Sequence, residues 1–504
     1  LKDVTFSTLF AINTVIIFAL CMTYGVGALS DPQPDKKTIE ESGETAADSS
    51  HRQDALVWLG GICLITVIAS ILSIAFVYAI STLSAHSISC TMYTVLSFTG
   101  ACAVFLLLVG NVVGGILALA LLIASFVFYF YVKDRISFAA VNMKTAGSAI
   151  TAMPSTIFYA YGIMVVAILW IFMWTIAVYG VATNEASTHI SHNGQEYNIE
   201  ECTTYTYSGT VTLVDTSLTC GSDSCRACVC DDGAGDSTLV KMHGCFSSQF
   251  DVGIYIAMLL SVMWAVSVFT HMVHCTTSGA VASWWFNASS TPNSSVVRYS
   301  FIRAATTSFG PICLGSLLGA IVGVSRFSIR YLKSTASCST RNGCCTPRQT
   351  GYLLSCLDTA LKMLEKAVKY FNRYAYCYVA IYGDSFVDAS KSVYKLFRSR
   401  GLSAVINDGL IDTTMRFIQA GVGMLCLVFS HWYSYATDLD YASKTALSAI
   451  ALAQGYFLSA ITLKVFSAAV TTIYVCYAED PQAFQGSHPE LYIPLHAAWQ
   501  KIYP

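Results

Sequence analysis

The side chains able to do chemistry fall into two settings: a cysteine-rich polar stretch, and a few ionisable groups set inside long apolar segments. Cys202, Cys220, Cys225, Cys228, Cys230 and Cys245 crowd into residues 184–249. The Cys-x-x-Cys at 225–228, with His189, His192 and His243 nearby, is half of a zinc pattern, but no second Cys pair or His pair stands at ligand spacing. Disulfides in an oxidising compartment are the favoured use, and the choice among the connectivities that six cysteines allow stays open. No metal and no cofactor are assigned. Lys464 stands inside an apolar run, where an ammonium is costly and by default marks function. The plainer reading is a long stem snorkelling toward the membrane edge. Asp384 and Asp388, four apart on one helical face, are the nearest carboxylates free to pair with it. With His271, His274 could sense or carry a proton, since an imidazole titrates near neutral pH; a neutral hydrogen-bonding role is the blander alternative. No nucleophile–base constellation stands out, so an enzyme is not expected.

The elements that must hold these groups are membrane helices. Hydrophobic residues make up 55% of the chain and charged ones 12%, against about 25% charged in soluble domains. Asp54 and Lys133 bracket a stretch with no Asp, Glu, Lys or Arg, room for three crossings at about 20 residues each. A net charge of −2, without a basic stripe, gives nucleic acid no footing. Residues 1–183 are expected to hold crossings one to five, with a short acidic loop at 30–54 and a cytosolic or interfacial helix at 136–153. Lys133, Arg135 and Lys144 place the end of the fourth crossing in the cytosol by the positive-inside bias. Parity then puts the Cys-rich residues 184–249 outside. Residues 250–477 hold crossings six to ten, and 478–504 form a cytosolic tail. Parity and charge conflict over Ser325–Gly351, which is basic yet falls outside: either the bias fails on one side or Tyr374–Ala389 is a broken or re-entrant segment, and we favour ten crossings with an irregular eighth, the orientation of 325–351 staying open. The fold class is thus an all-α polytopic membrane protein, about ten transmembrane helices with a disulfide-stapled extracellular loop.

Small residues dominate the stretch 250–400, as close helix packing in lipid requires. There the chain reads GAVASWWF at 279–286, SFIRA at 300–304, SFGPICLGSL at 308–317 and AYCYVAIYGDSF at 375–386. With IYVCYAED at 473–480 and HPELY at 488–492, these runs resemble the choline transporter-like proteins of eukaryotic plasma membranes. The resemblance covers roughly residues 130–504. It implies alternating-access movement of choline or a related amino-alcohol such as ethanolamine, with membrane lipids as the other partner.

Choline is a quaternary ammonium, so its site needs aromatic faces, each contributing about 0.5–2 kcal/mol. Trp264, mid-span in crossing six, is the leading candidate, with Tyr255 and Met263 on the same helix and Trp170 and Trp174 on one face of crossing five. Aromatics also belt membrane interfaces, which is the competing explanation. Glu479 and Asp480 take the position of the family's acidic pair, as a gate contact or as an ordinary helix-end pair. Two departures stand against choline. The family pattern often carries an acid where this chain has Thr471, and Lys464 appears two turns earlier on the same face. The second hypothesis is therefore a membrane scaffold, or a transporter of another solute, that kept the fold.

Overall fold

The computed structural model describes residues 2–26, 44–108, 112–186, seven strands between 190 and 242, and 252–287, 294–339, 348–400, 403–437 and 441–502. The chain forms two compact units: Leu1–Thr8, Ile39–Ala167 and Trp264–Pro504 in the first, Leu9–Thr38 and Ile168–Met263 in the second. In chain order the helices are α1 (Val4–Leu20, extended by a π turn at Cys21–Gly25), α2 (Glu44–Thr82), α3 (Ser84–Leu108), α4 (Val112–Ala152) and α5 (Ser155–Ala186). After the strands come α6 (Val252–Phe286), α7 (Ser294–Ala305), α8 (Phe309–Ser339), α9 (Arg348–Tyr382), α10 (Phe386–Arg400), α11 (Ser403–Ala436), α12 (Tyr441–Glu479), α13 (Pro481–Ser487) and α14 (Pro489–Ile502).

Among the described residues, seven helices are long and apolar enough to cross a membrane: α1, α2, α5, α6, α8, α11 and α12. Large apolar side chains such as Val165, Ile168, Leu169 and Phe172 on α5 face outward, which water would punish and lipid does not. This is a multi-pass integral membrane protein. Helix α9 falls short because it carries Asp358, Lys362, Glu365, Lys366, Lys369 and Arg373 in its middle.

Three sequence-based expectations change. The helix expected at 136–153 is not a separate element, because α4 runs unbroken from Val112 to Ala152 and stops before Pro154, which has no N–H to donate. The basic stretch at 325–351 is largely not a loop. Arg326 and Arg330 lie on α8, where Arg326 bonds Asp358 (3.2 Å) and Glu365 of α9 and Arg330 reaches Asp358 (3.3 Å). Finally, the Cys-rich segment is not all coil. It carries antiparallel pairs β1–β2 (Ile190–His192, Gln195–Tyr197) and β4–β5 (Thr210–Leu213, Thr216–Thr219), and a three-stranded sheet β3–β6–β7 (Cys202–Tyr207, Cys225–Asp231, Ser237–Met242). Strand-forming Thr, Tyr and Val supply it. The register sets Cys202 opposite Cys230, Thr204 opposite Cys228 and Tyr207 opposite Cys225. Cys220 and Cys245, and the side chains of the other four cysteines, lie outside the described residues.

The first unit has two buried seams. One joins α2, α11 and α12 through Ile65, Ala69, Val422, Cys426, Leu447 and Ala451. In the other, residues 374–380 of α9 and 468–477 of α12 are buried without interruption. In the second unit, the α5 side chain of Trp174 donates to the Met258 carbonyl of α6 at 3.1 Å.

Candidate functional site

The eighth segment is broken where small and polar residues interrupt it. Helix α9 ends at Tyr382, and Gly383 takes φ = 72°, the left-handed conformation that glycine adopts at helix C-termini without a Cβ clash. Its N–H still reaches the Val379 carbonyl (3.0 Å). Helix α10 then starts with a capping box. Ser385 Oγ donates to Asp388 Oδ2 (2.7 Å), and the Asp388 N–H donates back to Ser385 Oγ (3.2 Å). The Phe386 N–H donates to the Asp3 carboxylate (2.9 Å), so the start of the chain caps this helix too. Asp388 also pairs with Lys391 at 3.0 Å. Asp384 and Asp388 therefore do not share a helical face: Asp384 sits in the break, and Asp388 is engaged by the cap.

Three of the short sequence runs converge on this break. Arg303 of SFIRA donates to the carbonyl of Ala380, one of the last four in α9, which have no intrahelical donor. Gly279 makes room for it. A Cβ there would stand 3.0 Å from both the Arg303 guanidinium and Ser300 Oγ.

Next to the break lies a buried polar seam drawn from four helices. His271 Nδ1 and Ser316 Oγ are 2.9 Å apart, and the His271 ring lies 4.4 Å from that of Tyr376. The Tyr376 hydroxyl sits within 3.4 Å of Ser316 Oγ and of the Ile312 carbonyl. His274 Nε2 meets Cys377 Sγ at 3.5 Å, and Cys377 meets Ser278 and Thr472 at 3.6 Å. Asn372 donates to the Gly315 carbonyl (2.8 Å). Lys464 is half-buried and makes no hydrogen bond or ion pair among the described residues. The charged groups that act on it are Arg373, Asp412 and Lys369, and Arg373 and Asp412 are already paired with each other at 2.9 Å. The arrangement offers a run of hydroxyl, thiol and imidazole groups with one cation and no spare carboxylate, able to hydrogen-bond a small polar solute.

The expected binding aromatics divide between the units. Trp264 belongs to the first and is buried, its indole N–H donating to the Cys313 carbonyl of α8 at 3.0 Å. That bond fixes the ring edge. Trp170, Trp174, Tyr255 and Met263 belong to the second unit; Trp170 is buried, and Met263 is 38% exposed. Glu479 accepts the Tyr378 hydroxyl at 2.5 Å. Asp480 accepts the N–H groups of Gln482 and Ala483 as the cap of α13, while its own carbonyl receives the Trp285 indole at 3.1 Å. Each of the two acids thus ties another segment to the end of α12. Ser316, Tyr376, Cys377 and Tyr378 stand inside the CLGSL and AYCYVAIYG runs, where the sequence offers Ser316 as a small packing residue and assigns the other three no role. The mixture of Tyr, Cys and Ser in so apolar a stretch was the available signal.

A family model described as plasma-membrane choline transporter matches residues 116–482. Curated relatives include Protein PNS1 of Gibberella zeae, 31% identical over 274 residues, which cover 53% of this chain and 49% of that protein. Protein PNS1 of Debaryomyces hansenii is 30% identical over 281 residues (54% and 52%). A CTL-like protein of Dictyostelium discoideum is 30% identical over 260 residues (51% and 44%). The chain spans about half the length of these curated relatives.

Proposed function

This chain belongs to the plasma-membrane choline transporter family, and from that premise we propose that it moves choline or a related amino-alcohol such as ethanolamine across the plasma membrane by alternating access. The reaction is translocation, with no covalent step. The observation that carries the reading is the family match across residues 116–482; the buried polar seam beside the broken eighth segment is what such a path requires, since interrupted backbone at membrane depth persists only where it lines protein or a cavity. We read ten crossings, with α9 and its break as the eighth. The face of Trp264 is the leading cation contact, with Trp170, Trp174, Tyr255 and Met263 in support. His274 is the candidate proton carrier, and Glu479 and Asp480 are gate contacts.

The test is uptake of labelled choline into vesicles of purified protein. Saturable uptake is expected, retained in part by Trp264→Phe, which keeps an aromatic face, and lost in Trp264→Leu. In His274→Gln the pH dependence of uptake should flatten; an unchanged profile removes proton coupling.

One observation favours a different solute: among the described residues Lys464 makes no ion pair, and Asp412, the acid that acts on it, is paired with Arg373. A fixed cation facing the path repels choline. If wild type folds and carries no choline, whereas Lys464→Met does, the native solute bears an anion. If neither carries any organic cation or acid, the scaffold reading stands.

The outer segment we read as disulfide-stapled. Cys202 and Cys230, opposed in the β3–β6 register, are the first pair expected. Peptide mapping under non-reducing conditions should recover them joined; free thiols at all six positions would exclude a staple.

A further inference from the structure

An apolar groove of about 380 Å³ opens in the first unit where α5, α6 and α7 meet. Phe158, Gly162 and Val166 line it from α5, Phe269 and Met272 from α6, and Phe301 from α7. The three α5 positions are four apart, one above another on a single face. Tyr159 packs against Phe301, ring centroids 5.1 Å apart, and closes one wall. Gly162 leaves the groove empty: a Cβ added there meets no atom within 4 Å. The helices on two sides are membrane-crossing ones, so the surrounding medium is lipid. The third is different. Helix α7 is short and polar enough to lie at an interface, with Tyr299 71% exposed. Arg298, one turn before Phe301 on the same face, is also exposed and makes no hydrogen bond or ion pair among the described residues.

An apolar slot ending one helical turn from an unpaired guanidinium matches one molecule in its surroundings. We propose that the groove binds a phospholipid, one acyl chain lying in the slot along α5 and the headgroup phosphate held by Arg298. A guanidinium takes phosphate oxygens through its fork of N–H donors, and each methylene that enters the slot leaves the mobile bilayer for fixed van der Waals partners. The Arg298 cation beside the slot repels choline-type solutes. The site is independent of whichever solute the protein carries.

The probes are phosphatidic acid and diacylglycerol, each with the same photoactivatable acyl chain, reconstituted with the full chain in nanodiscs. In wild type, phosphatidic acid should label peptides holding Gly162 and Phe269–Met272 above those from the exposed Val67, Ile71 and Ile74 side of α2. Gly162→Phe fills the slot without a clash and should lower labelling by both probes about tenfold, the equivalent of losing roughly two methylenes of contact. Arg298→Gln should lower phosphatidic acid labelling severalfold and leave diacylglycerol unchanged. Unchanged melting temperatures for both variants would establish folding, and Val166→Trp substitutes if Gly162→Phe does not fold. Labelling that ignores Gly162→Phe, or spreads evenly around α5, would reduce the groove to ordinary contact with bulk lipid and overturn the proposal. Equal labelling by the two probes in wild type would overturn the phosphate contact.

Discussion

At the scale of single residues, Gly279 and Arg303 show how position in the fold assigns a role that residue type does not. An arginine near a membrane edge is ordinarily a headgroup contact, but Arg303 has another partner. Its partner is a carbonyl, that of Ala380, 77 residues further along the chain. No local pattern announces such a bond, because a backbone acceptor carries no sequence signal. Only the orphaned last turn of α9 creates the need. Gly279 is the complement, legible as a small packing residue but not as the specific clearance for a guanidinium. Gly279→Val should force the two Arg303 and Ser300 contacts at 3.0 Å apart and cost about 1–3 kcal/mol, the usual price of overpacking. Arg303→Met should cost a similar amount, about 1–3 kcal/mol, by leaving a half-buried carbonyl unpaired. The double variant should then lose less than the sum, since both single changes remove the same bond. Thermal melts of the purified protein in detergent measure all three. Strict additivity would mean that Gly279 acts on something other than Arg303.

At the scale of elements, apolar runs located most of the crossing helices, because length and hydropathy are what the bilayer selects. The same criterion failed where charge enters a helix interface. Arg326 and Arg330 of the basic stretch pair with Asp358 and Glu365, which lie 28 to 39 residues on. Their pairing becomes visible only once α8 and α9 lie side by side. The break at Gly383 was legible as an irregular eighth segment, yet its cap was not, since Asp388 bonds a serine three residues back and not the distant lysine. Hence Lys464, expected to pair with Asp384 or Asp388, stands without them. The outer segment was read as polar loop because its strands are short and their alternation is masked by Thr, Ser and Cys, which suit strand and coil alike. The seam of His271, Ser316, Tyr376 and Cys377 exists only where three helices, α6, α8 and α9, meet, which no local pattern announces.

At the scale of the whole molecule, the first unit is closed at one end by the helices after Asp480. The sequence suggested only a polar tail there, but its aromatics interleave with those of three long helices. Trp499 of α14 is 2% exposed and stacks on Tyr477 of α12 (4.2 Å, 21°), with Tyr474 at 4.9 Å and Phe138 of α4 at 5.2 Å. One turn away Trp285 of α6 stacks on Phe484 at 4.0 Å, and His488 lies 4.1 Å from the Trp284 ring. The α6 and α12 ends and the middle of α4 are thereby held to one cap, so these helices cannot tilt here without unstacking it. Trp499→Ala should destabilise the protein by about 3–5 kcal/mol, as for a large aromatic removed from a core, while Trp499→Phe keeps most of the contact. The cap should also weaken in acid. Burial lowers the His488 imidazole below its ordinary 6.5, so as pH falls the unfolded chain takes up that proton first. Its contribution is complete above about 6.5 and is lost as pH drops through the folded value. Melting temperature followed from pH 8 to pH 5 should therefore fall on the acid side in wild type and fall less in His488→Gln. A Trp499→Ala protein that melts with wild type at every pH would mean that α14 rests on the helix ends without restraining them, and that the end of the unit can open freely.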